Sequence, residues 1–377
     1  MRGRNRTISL KGEIDLFMKK ITVSGVIITL ICAVIVSAVG FAAFRYLSMD
    51  RGMIGHQPDR TGDDTYERYS NNVNILLSRS ENWHKISEQS ILSAEDFAGI
   101  DGSTATIPIT AELARQFCDA SDKKENNYVY CYIGHNKTDV AYYNLIYRKE
   151  NSISVYLDKE NRQNYTKPVS LIFATPPSKD ENVTAGIQGV TLEAEPVALD
   201  GFVFITHKDN PVDSLTVQQI CDIYTGKITN WKQVGGKDEK IRAFQRTKNS
   251  GSQTAMEELV MNGEPMTEAP MAFVSEDMGS LVKSVAEYEN ESAAIGYTYY
   301  YYLNNLYRDP NVKVIGISGV TPENENLISE KYPFTTAYYA VMRADEPSDS
   351  VYRKLRDYLL TDEGQEIIEL AGYCPVK

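Results

Sequence analysis

Short apolar runs alternate with helical patterns along most of the chain. Four runs have the length and the β-branched or aromatic content of buried strands, at residues 171–174, 201–205, 312–317 and 337–342. Around them, apolar residues recur three and four positions apart, as on one face of a helix. This alternation predicts an α/β fold in which helices pack on a sheet.

Three helices can be delimited by their capping residues. Thr216 begins a capping box, apolar positions follow at helical spacing, and Gly226 stands where a left-handed C-cap is favoured, which predicts a helix over 217–225. Two further helices are predicted near the C-terminus, one capped by Ser348 and one beginning after Thr361.

The longest apolar segment lies close to the N-terminus. Residues 21–44 contain no charged side chain and would span roughly 36 Å as a helix, which is enough to cross a bilayer. Six basic residues precede this segment and two follow it closely, so the N-terminus is expected in the cytoplasm. The sequence therefore predicts a cytoplasmic tail at 1–20, a single-pass transmembrane anchor in the cell membrane at 21–46, a polar spacer at 47–90 and an extracytoplasmic remainder.

Two alternatives to a retained anchor fit this segment less well. A cleaved signal peptide normally has an apolar region of about 7–15 residues, which is much shorter than this segment. A lipoprotein would use Cys32, but Thr-Leu-Ile precedes that cysteine where small residues are expected. A retained anchor is the preferred interpretation.

Charge and cysteine content exclude some classes of protein. Residues 1–46 carry seven basic and two acidic side chains, which leaves −17 for the rest of a chain whose net charge is −12. Such an acidic surface argues against nucleic acid as a partner. The four histidines and the cysteines lack metal-ligand spacing, so no metal and no cofactor is expected. The sequence leaves open whether Cys118 and Cys131 form a disulfide or remain thiols.

Three polar segments stand directly before helical patterns, at 101–108, 136–138 and 244–253. A helix N-terminus offers unpaired N–H groups and a partial positive charge, so hydroxyl groups gathered there can cradle an oxyanion. Each segment also has a simpler explanation, because Ser, Thr and Asn are ordinary N-caps. Arg246, at the end of an apolar run, would add a bidentate fork and favours an anion site in the third segment.

Several motifs resemble the phosphate-binding proteins of phosphate ABC transporters. They are the stretches 210–216, 223–231, 234–237 and 246–253, and the resemblance continues through 294–297 and 332–334 to Gly372 and Tyr373, covering about residues 95–377. It implies a two-lobed type II periplasmic-binding-protein fold, an α/β fold with the anion held between the lobes. Lobe 1 would comprise 91–207 and 335–377, and lobe 2 would comprise 208–334, with hinges near 205–211 and 331–337.

The resemblance also implies a ligand site and partners. The implied partners are phosphate or a related oxyanion and an ABC permease in the membrane, with the protein a monomer and not an enzyme. The ligand-binding residues carried over onto this sequence are Thr106, the backbone of Ile107, Thr138, Arg246, Ser250, Gly251 and Ser252.

This chain departs from the family at Pro176. The best-known phosphate binders have an acidic residue there, and a carboxylate is what accepts the proton of a hydrogen phosphate and repels a sulfate dianion. Pro176 predicts poorer discrimination against sulfate, unless Asp101 or Asp139 reaches the cleft. Alternatively the loop is shifted, and Ser178 or a main-chain carbonyl contacts the anion.

Three classes of function follow from these residues. The leading one is an anchored solute-binding protein that captures an oxyanion for an ABC importer. A membrane-anchored sensor or interaction module with an altered ligand is the alternative, favoured by Pro176 and the retained anchor. A hydrolase using Ser103 or Ser250 is disfavoured, since no motif provides a histidine and an acid to activate either serine.

Overall fold

The computed structural model of the protein describes residues 82–86, 90–122, 127–156, 161–275, 277–288 and 293–376. All of them belong to the second of the two units into which the chain divides, Arg60–Lys377. The predicted tail and anchor lie outside the described residues. Within those residues, no helix is both long enough and apolar enough to cross a membrane.

The described residues form a mixed α/β fold. Its strands are β1 Ile100–Gly102, β2 Glu150–Tyr156, β3 Arg162–Pro168, β4 Leu171–Ala174, β5 Leu192–His207, β6 Ser214–Leu215, β7 Arg242–Ala243, β8 Gln245–Arg246, β9 Val274–Ser275, β10 Ala294–Tyr299, β11 Val312–Ile317 and β12 Thr335–Arg343. Its helices are α1 Ile107–Cys118, α2 Thr138–Ile146, α3 Lys179–Ile187, α4 Val217–Tyr224, α5 Gly251–Ala255, α6 Met278–Ala286, α7 Asn324–Ile328, α8 Val351–Leu359 and α9 Asp362–Leu370.

The long strand β5 is shared by two groups of strands. Its first part, from Leu192 to Gly201, pairs antiparallel with β12, and β12 continues through β4 to β1. Its second part, from Phe202 onward, pairs antiparallel with β10 on one side and β11 on the other, which lead to β7 and β6. The first group, with the segments that connect its strands (100–201 and 335–376), is called the first half. The second group, with the segments that connect its strands (202–317), is called the second half.

Both predicted hinges lie at or near places where the strand pairing changes. β5 changes partners between Gly201 and Phe202, a few residues before the predicted hinge at 205–211. The two halves are connected a second time where the chain returns through α7 into β12. The pairing of β12 with β5 begins at Thr335, inside the predicted hinge at 331–337. Phe202 N donates to Phe334 O at 2.9 Å, so the two connections lie side by side.

Most predicted elements are confirmed, with changes at their ends. Strands β4 and β11 have the predicted bounds, and helix α4 begins after its Thr216 cap as expected. The predicted strand at 201–205 is part of the much longer β5. The Ser348 cap is wrong, because α8 begins after Ser350, whose side chain accepts from Tyr352 N. Ser350 N donates to Pro347 O at 3.0 Å, which makes 347–350 a turn, so the helix begins only after Ser350.

The end of the predicted spacer contacts the first half. Trp83 Nε1 donates to Glu112 Oε1 at 2.6 Å, and Ile86 N donates to Gln116 Oε1 at 2.9 Å. Glu112 is fully buried in α1 and also pairs with Arg115 at 3.0 Å. Residues 82–86 are thus fastened to α1.

No disulfide joins the cysteines of the described residues, which are Cys118, Cys131, Cys221 and Cys374, so the bridge left open between Cys118 and Cys131 does not form there. Of the tyrosines that follow β10, Tyr301 and Tyr302 are buried in the core, and Tyr300 and Tyr307 pack against it partly buried.

Candidate functional site

The C-terminal ends of β1 and β4 place the first polar segment at one edge of the first half. Thr106 is fully buried, and its Oγ1 donates to Phe173 O at 2.7 Å and lies 3.0 Å from Ser103 O. Ile107 N donates to Thr104 O. The polar groups predicted to contact an anion here are therefore engaged within the first half.

Asp101 holds the second polar segment in position. Its Oδ1 accepts from Gly102 N and Asn136 N, each at 2.7 Å, and its Oδ2 accepts from Asn136 Nδ2 at 2.7 Å and Asn144 Nδ2 at 2.8 Å. Asp101 is fully buried by these contacts. It therefore orients the turn that begins α2.

Thr138 and Asp139 form the first turn of α2. Thr138 is buried, whereas Asp139 is half-buried. Burial raises the pKa of the Asp139 carboxyl, and the charges of Lys137 and Arg246 are among the causes that oppose this rise. The positive charge of Arg246, in the second half, thus has a small effect on the Asp139 carboxyl.

The end of β4 adds a hydroxyl group that the sequence analysis did not select. Thr175 is buried, and its Oγ1 has no hydrogen-bond partner of good geometry in the described part of the chain. Its carbonyl accepts from Tyr142 OH at 2.7 Å. Its place directly after a buried strand was the signal that could have identified it.

The loop after Thr175 leads into α3. Pro176 is half-buried, and Ser178 caps α3 by accepting from Glu181 N at 3.3 Å while its own N–H donates to Glu181 Oε2 at 2.6 Å. Glu181 Oε1 is buried without a partner among the described residues. Burial raises the pKa of Glu181 to about 8, and Asp139 and Asp180 contribute to this rise.

In the second half, Arg246 ends β8 in a buried position. Its Nε donates to Ser275 O at 3.0 Å, and its Nη1 donates to Ser252 Oγ at 2.9 Å. Its backbone N–H is shared between Gln253 Oε1 and Tyr297 OH. Burial lowers the pKa of the Arg246 guanidinium from its ordinary value, because it disfavours the charged form. A nearby anion would stabilise that charge.

Gly251 brings the two halves together. A methyl group built on its Cα would lie 2.7 Å from Thr175 Oγ1 and 3.0 Å from Thr138 Oγ1. The Gly251 carbonyl accepts from Tyr299 OH at 3.0 Å. A residue with a side chain would clash with Thr175 and press tightly against Thr138, so the glycine allows this close approach.

Part of the predicted ligand set therefore converges. Thr138, Gly251, Ser252 and Arg246 lie around the junction of the halves, and Thr175 joins them. Ser250 lies next to the junction, and its side chain caps α5 by accepting from Gln253 N. An arginine, several hydroxyl groups and the first residues of α5 can together donate hydrogen bonds to a small anion.

Comparison with known families agrees with the motifs in the sequence. A family model described as a PBP superfamily domain matches residues 159–363, more than half of the chain. The phosphate-binding protein PstS of Bacillus subtilis (strain 168) is 29% identical over 192 residues, which make up 51% of this chain and 60% of that protein. The chain spans less than two thirds of the length of the curated relatives it matches first.

Solved structures show a similar fold. A protein from Clostridium perfringens, described as a phosphate ABC transporter substrate-binding protein with bound phosphate, is 28% identical with a TM-score of 0.54, over 74% of this chain and 98% of that chain. An ABC-type phosphate transport receptor from Vibrio cholerae is 23% identical with a TM-score of 0.50, over 73% and 98% of the two chains. The likeness to the V. cholerae receptor shows that the two folds are similar and no more than that.

Proposed function

This chain belongs to the PBP superfamily, and from that premise we propose that it captures phosphate, or a similar oxyanion, for an ABC importer. The two halves of the fold are the two lobes, and the anion binds at their junction. In this proposal the N-terminal segment anchors the protein in the membrane and the lobes lie outside the cytoplasm. The phosphate-binding relatives and the C. perfringens structure with bound phosphate support phosphate as the ligand.

The contact of Gly251 with Thr138 and Thr175 carries the proposal. It places the arginine and the start of α5 from one lobe against hydroxyl groups from the other. A site divided between two lobes can surround a small ion and exclude water, which strengthens every hydrogen bond to it. Thr175 Oγ1, buried and without a hydrogen-bond partner of good geometry among the described residues, is available to donate to an oxyanion.

We propose a different contact pattern from the one carried over by resemblance. Thr106 gives its hydroxyl hydrogen to Phe173 O in this structure, so Thr175 and Thr138 take the larger share of the first lobe's contacts. Arg246 and Ser252 provide those of the second lobe, and Ser252 Oγ, which accepts from Arg246, keeps its own hydrogen for the anion.

Asp139 is the proposed acceptor for a protonated anion. Asp101 is fully occupied by four hydrogen bonds, and Pro176 has no acceptor side chain. Asp139 follows Thr138 directly and interacts electrostatically with Arg246. A carboxylate there can accept the hydrogen of a hydrogen phosphate, whereas a sulfate dianion meets only repulsion from it. Asp139 therefore restores the selectivity that Pro176 would otherwise reduce.

The proposed hinge is the point where β5 leaves one half for the other. Asp200 precedes Gly201 there, and its carboxylate accepts from Gly201 N at 2.7 Å, Tyr301 N at 3.1 Å and Tyr338 OH at 3.0 Å. It thereby links the strand to residues of both halves. Closure would bend β5 and the adjoining connection near Phe334 while the lobes move as units.

A hydrolase gains no support from the geometry. His135 lies against Ser103, but its Nδ1 contacts the Ser103 carbonyl at 2.8 Å and its Nε2 contacts Thr110 Oγ1 at 2.8 Å. Ser250 Oγ accepts from a backbone N–H at the start of α5. Neither arrangement is that of a general base activating a serine hydroxyl.

Equilibrium dialysis of the full chain in detergent against radiolabelled phosphate tests the proposal. We expect saturable retention of phosphate that unlabelled phosphate displaces more effectively than sulfate does. A folded protein that retains no phosphate would overturn the proposal and would favour the alternative of a membrane-anchored module with an altered ligand.

A further inference from the structure

An ion pair joins the two lobes at the edge of the candidate site. Lys248 Nζ lies 2.6 Å from Asp180 Oδ2, and Asn249 Nδ2 donates to the same oxygen at 3.4 Å. Lys248 is two residues after Arg246, whereas Asp180 lies in the first turn of α3 in the other lobe. The pair therefore connects the loop that carries the anion ligands directly to the opposite lobe.

The two partners are positioned differently. The charge of Asp180 is stabilised in the first turn of α3 even without Lys248, because a carboxylate there interacts favourably with the helix dipole. The side chains of Lys248 and Asp180 are 71% and 52% exposed and border a groove of about 530 Å³. Water can therefore solvate both charges when they separate, and the pair can form and break at little cost.

We propose that Lys248 and Asp180 form a latch across the mouth of the cleft, which slows the release of the bound anion. This inference rests on the proposed function, since it assumes that the lobes close over an oxyanion. The contact exists in the same arrangement that brings Gly251 against Thr138 and Thr175, so opening the lobes separates all of these groups together. The latch acts on retention by positioning the lobes and does not contact the anion.

The two charges have opposite effects on entry. With Asp180 neutralised, an unpaired Lys248 at the mouth attracts an incoming anion, so the association rate constant should rise. With Lys248 neutralised, Asp180 repels the anion and the association rate constant should fall. Either change removes the latch, so the dissociation rate constant should rise in both variants. A pair with a purely structural role would not change the association rate constant in opposite directions in the two variants while raising the dissociation rate constant in both.

Stopped-flow measurement of inorganic phosphate binding to the full chain tests the latch. For Asp180→Asn and Lys248→Gln we expect the dissociation rate constant to rise about two- to fivefold, as for an exposed ion pair. The double variant should release phosphate at the rate of either single variant, because both remove the same contact. At about 1 M salt the wild-type rate should approach that of the variants.

The chain contains a matched control pair. Lys232 and Asp238 are 2.8 Å apart, similarly exposed and accompanied by a donating Asn230 amide, but both lie in the second half. Lys232→Gln and Asp238→Asn should leave both rate constants unchanged.

Three results would count against the inference. The latch is overturned if neither Asp180→Asn nor Lys248→Gln accelerates phosphate release, or if the double variant's increase equals the product of the single increases. It is also overturned if the control variants accelerate release equally. Failure of the proposed function gives a different result, since the wild-type chain would then bind no phosphate.

Discussion

Arg246 is held in place by the protein itself, because Ser275 O and Ser252 Oγ orient its guanidinium. Such preorganisation reduces the entropy lost when an anion binds. The sequence indicated Arg246 from its position after an apolar run, and the structure adds the two oxygen atoms that fix its orientation. The orientation depends on Ser275, a residue far along the chain that no local pattern connects to Arg246.

Replacing Arg246 should weaken phosphate binding strongly. Removal of a charge-assisted hydrogen bond to a buried anion costs about 1.5–3 kcal/mol, so Arg246→Ala should raise the Kd by at least tenfold in equilibrium dialysis. Arg246→Lys should also lose affinity, since a lysine cannot make the bidentate contact. Arg308→Ala, an exposed arginine of the same half, is the control. Wild-type affinity in both Arg246 variants would show that the anion binds elsewhere.

Asp139 should set the preference between phosphate and sulfate. Asp139→Asn removes the acceptor for the phosphate hydrogen and the repulsion of sulfate, so phosphate should bind about tenfold more weakly or worse, and sulfate more tightly. Competition dialysis measures both changes. Asp349→Asn, an exposed carboxylate of the first half, should change neither. An unchanged ratio of the two affinities in Asp139→Asn would refute this role.

At the level of elements, the contact of α5 with α2 and β4 requires a glycine. In Gly251→Ala the new methyl group would meet Thr175 Oγ1 and Thr138 Oγ1 in the closed arrangement, at a cost of about 1–3 kcal/mol. We expect weaker phosphate binding with little change in thermal stability, because the clash arises on closure. Gly186→Ala in α3, where a methyl group meets nothing within 4 Å, is the control. Equal affinity of both variants would contradict the proposed closure.

Glu181 at the start of α3 should make stability depend on pH. Its pKa is raised from an ordinary 4.5 to about 8, so the folded protein holds a proton that the unfolded chain has released. Its contribution is therefore fully present below about pH 4.5 and is lost as the pH rises to about 8. Glu181→Gln, which cannot ionise, should be roughly 2–4 kcal/mol more stable than wild type at pH 8 and similar at pH 4.5.

Urea unfolding at the two pH values measures this difference. Glu325→Gln, an exposed glutamate in α7, serves as the control for the substitution itself. If the wild type and Glu181→Gln lose stability in parallel between these pH values, Glu181 is already ionised in the folded protein and the account of α3 is wrong.

Local patterns predicted the elements better than their junctions. Helix α4 and strands β4 and β11 follow from capping residues and apolar runs that lie within one segment. β5 was predicted to be far too short, since its first five residues are not fully buried and include Pro196, whereas its pairing with β12 decides its length. Thr175 and the Lys248–Asp180 pair were missed because their roles arise from contacts between distant segments.

For the whole molecule, the shared strand β5 explains how two halves can be separate and still coupled. The first half holds Thr138 and Thr175, the second holds Arg246 and Ser252, and β5 runs through both. A rotation about the point where β5 changes partners would move these groups together or apart without unfolding either half. An anion that contacts both halves would stabilise the closed arrangement by its differential affinity.

Amide hydrogen exchange of the full chain, with and without inorganic phosphate, tests whether the anion binds between the two halves. Phosphate should slow exchange at the backbone amides that meet at the junction, at 136–139, Thr175, Ser178 and 247–252, while α8 and α9, which contain none of these residues, exchange at unchanged rates. Protection confined to other segments, or exchange that phosphate leaves unaltered throughout the chain, would contradict the capture of an oxyanion between the two halves.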